Sequence, residues 1–474
     1  MVNQDVNFVT VKFYSRMLIK EEMKTNVNHY LRFLIVGILL GFCIECSSQT
    51  PGGVKISSSD EASWKKIDKL CLESESQVIS WRQDFHQNPE LGNREFRTSK
   101  IIAEYLRSLG LEVRTNVAHT GVVAVLRGKS DSPVIALRAD IDALPIKEMT
   151  DVPFASKVMA EYNGNQVPVA HVCGHDAHTA ILMGVAGVLS KMKGELPGTV
   201  KFIFQPAEDS NATNEESGAE LMVKEGVLEN PKVDAIFGLH VAPYPASGLY
   251  YRAGGLFAGV NNFTIVVKGR QTHGAMPWTG IDAITVSAQM ITGLQTIISR
   301  QIDLTEAPAF ITVGTIHGGT QVNILPGEVK FEGTLRTFSP VILKDIEEKM
   351  TRTVTNIAES SGASATISFT VGVPAVYNDP ALTEMLLGTF NHAAGVNGAL
   401  VSRPITVGDD FSVFTRNIPG FYFILGTAPK GADPARIVNH SPYFIIDETA
   451  LVKGVEAMSH LAYDYLKLKG KQLN

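Results

Sequence analysis

Two patterns of apolar residues alternate along the chain after Trp64. Apolar side chains at helical spacing predict amphipathic helices, among them those over about 64–88 and 95–109. Short continuous apolar runs predict buried strands between the helices, at 121–126, 134–138, 199–205 and 235–239. Strands that alternate with helices indicate an α/β fold, in which helices cover both faces of a mostly parallel sheet.

The pattern changes near residue 260, where the predicted strands alternate apolar with polar residues. The predicted order from there is β-α-β-β-α-β, which is the order of the ferredoxin-like unit. Alternating strands suit a sheet with one exposed face, which proteins often use for pairing. We therefore expect an inserted α+β lid or dimerisation domain at 260–372. It would divide the catalytic domain into parts at 64–259 and 373–474.

Composition narrows the class of protein. The chain has 474 residues, which favours two domains over one core. Its net charge of −6 comes with no basic stripe, so nucleic acid is not an expected partner. Four cysteines are too few for a disulfide scaffold in a chain of this length.

Residues 1–63 are predicted to be a signal or anchor segment followed by a tether. The apolar run at 31–44 is short for a membrane span, and basic residues precede it, as in a secretory signal. Met23 would be a natural start for that signal, and Cys46 is a candidate site for a lipid anchor. We expect export to a bacterial periplasm or envelope. An uncleaved N-terminal anchor is the alternative.

The stretch from His171 to His178 carries the densest chemistry in the chain. Apolar residues at helical spacing follow it at once, so Cys173 and His175 are expected in a turn at the start of a helix. A thiolate and an imidazole together suit a borderline-soft divalent metal. A helix-capping loop with an incidental cysteine is the alternative, but the further donors downstream favour a metal site.

Five side chains of metal-binding type are candidate ligands: Cys173, His175, Asp209, His240 and His440. Asp209 and His240 follow predicted strands, and ligands of such sheets bind beyond the carboxyl ends of the strands. Five donors exceed one tetrahedral site, so we expect two metals with a bridging group. Glu208 and Asp209 are neighbours whose side chains diverge, so that one can bind metal while the other takes a proton. A solvated loop end is the alternative for this pair.

Two of these assignments have strong alternatives. Asp142 could accept a hydrogen bond from a ligating histidine and so orient its ring, but it could also cap the next helix. His440 lies far along the chain in a loop, where a lone histidine is more often a solvated side chain.

Eight motifs stand along the chain in a fixed order: His86–Leu91, Leu137–Pro145, His171–His178, Phe204–Glu208, Gly238–Val241, His273–Ala275, Val322–Asn323 and His440–Pro442. Through them the chain from about Trp64 to Leu466 resembles the amidohydrolase branch of the di-metal aminoacylase/carboxypeptidase family. That branch includes the auxin-conjugate, hippurate and N-acyl-amino-acid amidohydrolases.

The resemblance implies a zinc-peptidase-like fold, the five ligands named above, and Glu208 as general base. The cofactors would be two divalent ions (Mn²⁺, Zn²⁺, Co²⁺ or Ni²⁺). It also implies that His273, on the inserted domain, reaches the active site of a partner subunit in a homodimer. Asn323 and Arg336 would help to hold the substrate carbonyl or carboxylate.

The chain departs from the family's pattern at two places. Asp209 stands where the family usually has a second Glu, and Asp409-Asp410-Phe411 replaces a usual Glu-Asp-Phe. Both changes shorten a carboxylate side chain and keep its charge. The first puts the geometry of the metal shell in question.

The predicted reaction is hydrolysis of the amide bond of an N-acyl amino acid or a related small conjugate. Glu208 would take a proton from a metal-activated water and return it to the departing amine, while His273 helps to stabilise the oxyanion. A dipeptidase or carboxypeptidase with the same site is one alternative. A non-catalytic binding protein is the other, if Asp209 cannot complete the metal shell.

Overall fold

The computed structural model of the protein describes residues 58–473 except 210–211, 213–214 and 371. Most of the predicted signal and tether, up to residue 57, lies outside the described residues, and so does the candidate lipid-anchor site Cys46. Within the described part of the chain, no helix combines the length and apolar character needed to cross a membrane.

The described strands fall into one large sheet, one four-stranded sheet and three short pairs. In chain order they are β1 (Glu112–Val117), β2 (Gly121–Arg127), β3 (Val134–Asp140), β4 (Met159–Tyr162), β5 (Asn165–Pro168), β6 (Thr199–Gln205), β7 (Ala235–Pro245), β8 (Leu249–Tyr251), β9 (Gly254–Phe257), β10 (Gly259–Lys268), β11 (Thr272–His273), β12 (Ala309–Gly318), β13 (Ile324–Leu325), β14 (Glu328–Thr337), β15 (Ser364–Thr370), β16 (Val376–Asn378), β17 (Leu400–Val401) and β18 (Gly420–Ala428).

The α-helices are α1 (Ser58–Gln87), α2 (Phe96–Ser108), α3 (His175–Lys191), α4 (Gly218–Lys224), α5 (Ala283–Gln301), α6 (Pro340–Ser360), α7 (Pro380–Ala394), α8 (Phe411–Phe414) and α9 (Leu451–Leu473). Single turns of 3₁₀ helix lie at Pro277–Thr279, Gly395–Asn397 and Glu448–Ala450.

The large sheet has the strand order β1-β2-β6-β3-β7-β18-β8-β17. Its four central strands, β6, β3, β7 and β18, run parallel, whereas β2 and β8 pair with them antiparallel. Strands β3 and β6 are buried along their whole length, which explains their continuous apolar runs. The predicted α/β fold with a mostly parallel sheet is confirmed.

Alternate residues of the central strands pack into two different cores. Phe202 and Phe204 face the core that holds α1, α2, α3, α7 and α9, whereas Ile203 faces the core that holds α4 and α8. Because side chains alternate between the faces of a strand, Arg138, Gln205 and His240 point to this second face. The polar residues at the ends of neighbouring strands therefore collect on one side of the sheet.

The four-stranded sheet has the order β12-β14-β10-β15, and every neighbouring pair is antiparallel. Helices α5 and α6 pack on it around a separate hydrophobic core that includes Phe263 and Phe331. The β-α-β-β-α-β order expected between 260 and 372 is therefore present. The exact domain limits stay a prediction.

Helix α3 begins directly after the turn that carries Cys173. Gly174 caps this helix with a φ of +99°, a conformation that favours glycine. A Cβ atom on Gly174 would also lie only 2.2 Å from Cγ2 of Val241 on β7. Nearly the whole of α3 is buried, so the turn before it has a rigid base.

Candidate metal centre

The structure brings the five predicted ligands together. The Sγ atom of Cys173 lies 3.4 Å from Nε2 of His240 and 3.2 Å from Nε2 of His440. The Oδ2 atom of Asp209 lies 3.1 Å from Nε2 of His440 and 3.6 Å from Nε2 of His175. The shorter side chain of Asp209 thus still reaches the cluster.

Each ligand is delivered by a different part of the fold. Cys173 precedes α3, and His175 is its first residue, while Asp209 follows β6. We expected His240 to follow the end of its strand, but β7 continues to Pro245 alongside β18. The pairing of β7 with β3 stops at Gly238, two residues earlier, so the backbone at His240 extends past the end of that pairing.

The loop that carries His440 is tied to the turn before α3. The backbone N–H of His440 donates to the carbonyl of Val172 (2.7 Å), and the side-chain amide of Asn439 donates to the carbonyl of Cys173 (2.8 Å). His440 has a φ of +69°, so this loop is held in an uncommon conformation for a residue with a side chain. These contacts place a remote histidine beside the cysteine.

Hydrogen bonds set which ring nitrogen of each buried histidine faces the cluster. Nδ1 of His240 lies 2.7 Å from the carbonyl of Val241, which leaves Nε2 directed at Cys173. Burial and then the neighbouring His178 lower the pKa of His240 to about 4, so His240 is neutral at pH 7. His178 itself has both nitrogens occupied, by Asp140 (2.6 Å) and by the N–H of Val241 (2.9 Å). It therefore supports His240 rather than offering a ligand atom.

Asp142 contacts two parts of the cluster. Its Oδ1 lies 3.1 Å from Nδ1 of His175, and its Oδ2 accepts a hydrogen bond from the backbone N–H of Asp209 (3.1 Å). The backbone carbonyl of Asp142 lies 2.9 Å from the same ring nitrogen. This arrangement suits the predicted orienting role, since it leaves Nε2 of His175 buried and without a hydrogen bond.

The pKa values of the two adjacent acids, Glu208 and Asp209, are shifted in opposite directions. Burial raises the pKa of Glu208 well above its ordinary value, and the carboxylates of Asp209 and Asp409 raise it further. Burial also favours the neutral form of Asp209, but His440 and His175 outweigh it and hold the pKa of Asp209 below its usual range. Neighbouring acids whose pKa values are driven apart are suited to different tasks. Asp209 is suited to act as an anionic metal ligand, and Glu208 is suited to accept a proton.

The donor set fits divalent cations. Burial lowers the pKa of His175, yet Asp140, Asp142 and Asp209 together raise it to about 10, which shows that the cluster favours a positive charge. Two ligands of one tetrahedral zinc ion, with bonds of about 2.0–2.3 Å, lie about 3.3–3.6 Å apart. The observed separations of 3.1 to 3.6 Å are close to that range.

The described residues contain overlapping groups of potential ligands, among them Cys173 with His175 and His240, Cys173 with Asp209 and His440, and His175 with Glu208 and Asp209. A residue that belongs to two of these groups could bridge two neighbouring cations, as a two-metal site requires.

A buried hydrogen-bonded network of Arg138, Asp140, Gln205 and Asp410, called the Arg138 floor, contacts Glu208 and was not predicted from the sequence. Arg138 is fully buried and donates to Asp140 (2.7 Å), Asp410 (2.9 Å) and Gln205 (2.8 Å). The backbone N–H of Asp410 in turn lies within hydrogen-bond distance of Oε1 of Glu208 (3.3 Å). The available signal was the spacing of Arg138 and Asp140, two charged residues at i and i+2 at the end of an otherwise apolar strand.

A cleft of about 310 Å³ opens beside the cluster. Cys173, Glu208, Asp209, His240 and His440 form one side of it. Most of the remaining lining is apolar or aromatic: Ala242, Pro243, Tyr244, Phe257, Ile405, Val407, Ile424 and Val438, with Gly408 and Asn439. Sequence reasoning did not find this wall, because its residues come from loops and strands that only the fold brings together.

Three predicted substrate-contacting residues do not line this cleft. His273 and Asn323 are exposed and lie beside each other, where β11 pairs with β13 and the N–H of Gly274 donates to the carbonyl of Asn323 (2.7 Å). Arg336, on β14, donates to the carbonyl of Thr406, next to the cleft wall (3.4 Å). Their roles stay predictions.

The chain belongs to the peptidase family M20/M25/M40, which it matches over residues 136–464. It is 35% identical over 420 residues to the N-acetyl-L-cysteine deacetylase of Bacillus subtilis, covering 88% of this chain and 93% of that protein. It is 37% identical over 406 residues to the thermostable carboxypeptidase 2 of Saccharolobus solfataricus, covering 85% and 98%.

Among solved structures, the chain is similar to the YXEP protein of Bacillus subtilis, described as a dinuclear metal binding peptidase from the M20 family. The TM-score is 0.69 at 35% identity, and the match covers 83% of this chain and 98% of that one. The predicted family and the predicted enzyme class, a metal-dependent hydrolase of amide bonds, are thereby confirmed.

Replacing His440 by Ala is expected to lower the affinity for at least one divalent ion by about 100-fold or more, because the variant loses a ligand atom. Metal content per chain, measured by mass spectrometry after gel filtration in metal-free buffer, reports the loss. His317→Ala removes an exposed histidine on β12 and serves as the matched control. Equal metal content in the two variants would exclude His440 from the site.

Proposed function

We propose that the protein cleaves the amide bond of N-acyl amino acids or related small conjugates, with Glu208 as the general base. The proposal rests on the difference in pKa between two neighbouring acids that line the cleft. Asp209 is an anion inside the Cys/His cluster, whereas Glu208 lines the same cleft with a raised pKa. A carboxylate with a raised proton affinity is what proton transfer near neutral pH requires.

Two divalent ions are the proposed cofactors, held by Cys173, His175, Asp209, His240 and His440. When bound, they supply the Lewis acidity that lowers the pKa of a water molecule and polarises a substrate carbonyl. Manganese and zinc are the first ions to test in metal loading, since this mixed set of thiolate, imidazole and carboxylate donors accepts both.

Glu208 performs the proton transfers in this proposal. The N–H of Asp410 holds its Oε1, while Oε2 lies 3.8 Å from Nε2 of His175, on the side of the cluster. Oε2 therefore takes the proton of the attacking water and returns it to the departing amine. The buried Arg138 donates to Asp410, whose backbone N–H holds Oε1 of Glu208, and these contacts help to keep the carboxylate in place.

Replacing Glu208 by Gln is expected to reduce kcat by at least about 10²–10⁴-fold, because the amide cannot take the proton. Metal content should stay close to that of the wild type. Glu216→Gln changes an exposed acid of the same loop and controls for the loss of charge. Near-normal turnover of the Glu208 variant in a steady-state assay would remove Glu208 from the chemistry.

The apolar wall of the cleft points to the acyl half of the substrate. Phe257 and Ile424 are buried, while Val407 and Val438, which also line the cleft, are exposed. An apolar acyl chain placed against these side chains is removed from water. The ammonium group of a dipeptide in the same position would lose its hydration. The cleft therefore favours acyl amino acids over peptides, although one relative is named a carboxypeptidase.

A series of N-acyl alanines from acetyl to hexanoyl tests this assignment. We expect kcat/KM to rise by up to about fourfold for each added methylene, which corresponds to about 0.8 kcal/mol, until the cleft is filled. Norleucyl-alanine differs from hexanoyl-alanine by one ammonium group and is expected to react more slowly. Faster cleavage of the dipeptide would favour the carboxypeptidase alternative.

We also propose that the protein forms a homodimer through the region around β11 and β13. Large apolar side chains are exposed on and next to the segments that carry His273 and Asn323: Met276, Trp278, Ile316, Val322 and Ile324. Several exposed apolar residues in one region are typical of an interaction site. A dimer would also give His273 a route to the cleft of the partner.

Replacing Val322 by Asp is expected to convert the dimer to a monomer and to lower kcat with it. Val396→Asp is the matched control, because Val322 and Val396 are both fully exposed valines. Sedimentation velocity measures the oligomeric state. A wild-type chain that sediments as a monomer at all concentrations would refute the proposed dimer.

A further inference from the structure

We propose that the buried carboxyl group of Glu95 holds the strained turn that bears Glu208 and Asp209. Glu95 would thus be a positioning residue for Glu208 and Asp209. The effect on catalysis that we infer for it rests on the proposed function. Glu95 belongs to none of the ligand groups described above. It lies directly before α2 and is fully buried.

The turn after β6 has an unusual backbone. Ala207, the residue before Glu208, has a φ of +45°, in the left-handed region that residues with a Cβ atom rarely adopt. Strain of this kind persists only where surrounding contacts hold it, and it is frequent at functional sites.

Both sides of Ala207 are hydrogen-bonded. Its N–H donates to Oε1 of Glu95 (2.9 Å), and its carbonyl accepts from the N–H of Gly218 at the start of α4 (3.0 Å). A Cβ atom on Gly218 would lie 1.7 Å from the carbonyl oxygen of Pro206, so only glycine permits this approach. Of the two groups that hold Ala207, Glu95 is the only side chain.

The surroundings of Glu95 fit a holding role. Its second oxygen accepts a hydrogen bond from the hydroxyl of Thr120, and the carbonyl of Thr120 accepts from the hydroxyl of Ser99. Burying an acid is unfavourable unless its oxygens are used. Here one oxygen fixes the side chain and the other fixes the backbone of the catalytic turn.

Rotation about the φ angle of Ala207 moves Glu208 and Asp209 together. If the residue relaxed to an ordinary φ, Oε1 of Glu208 would leave the N–H of Asp410, and Oδ2 of Asp209 would leave His440. Displacements of about 1 Å at a reacting group can reduce a rate by about 10²-fold. Loss of the Glu95 contact should therefore affect proton transfer and metal binding at once.

A second contact of this kind, made by the exposed Glu225, serves as a control. Ala118 also has a positive φ, +48°, and its N–H donates to the carboxylate of Glu225 at 3.0 Å. Neither residue contacts the metal cluster or lines the cleft. Removing the Glu225 carboxylate breaks the same kind of bond without touching the turn that bears Glu208.

The experiment compares Glu95→Met with Glu225→Met in the metal-loaded enzyme. Met fills similar space but accepts no strong hydrogen bond. We expect Glu95→Met to lower kcat by about 10²-fold, to weaken metal binding, and to speed amide hydrogen exchange in the peptide covering 206–209. Glu225→Met should leave all three near the wild-type values. Glu95→Gln should recover them, because its amide oxygen can accept from Ala207.

A second variant separates positioning from general packing. In Glu95→Met/Ala207→Gly, glycine adopts a positive φ freely, so kcat should recover at least about tenfold over Glu95→Met alone. If Glu95→Met does not fold, Thr120→Val, which frees the carboxylate from its orienting hydroxyl, should speed exchange at 206–209 on its own.

Exchange and kcat equal to those of Glu225→Met would overturn the proposal, and so would a lack of recovery with Ala207→Gly. In the Thr120→Val arm, unchanged exchange would do the same. A wild-type enzyme that is inactive on every amide refutes the proposed function instead, while the exchange measurement still decides the role of Glu95.

Discussion

The structure depends on a concentration of negative charge at one rim of its large sheet. Asp140, Asp142, Asp409 and Asp410 are all buried there, and Glu208 and Asp209 lie beside them. Charges of one sign can be buried together only if positive charge is placed among them. Arg138 neutralises the floor of this region, and divalent cations would neutralise its upper side. Divalent cations bound there would therefore stabilise the fold as well as serve the chemistry.

Alternation of residues along the central strands explains how this charge is assembled. Each strand places every second side chain on the face covered by α4 and α8, so Arg138 of β3, Gln205 of β6 and His240 of β7 lie on that face. The turn before α3 adds Cys173, and the first residue of that helix adds His175, from the opposite layer. Because the strands and the helix are almost wholly buried, the ligands need little further ordering when cations bind.

The sequence was sufficient for the sheet, its helices and most of the local ligand groups, because these follow from short-range apolar patterns. His440 could be assigned only through the family resemblance, since the contacts that place its loop involve Val172 and Cys173, more than 260 positions away. The Arg138 floor, the Glu95 contact and the apolar wall of the cleft were missed for the same reason. Each is formed by residues from several elements, and no local pattern announces such contacts.

The central claim is that the rim around Cys173 holds a pair of cations. Anomalous X-ray diffraction from crystals of the manganese-loaded protein tests it most directly. We expect two peaks about 3.5–4 Å apart, each adjacent to members of the Cys173, His175, Asp209, His240 and His440 cluster. A single peak, no peak, or peaks confined to another group of potential ligands, such as Asp68, His392 and His460, would contradict it.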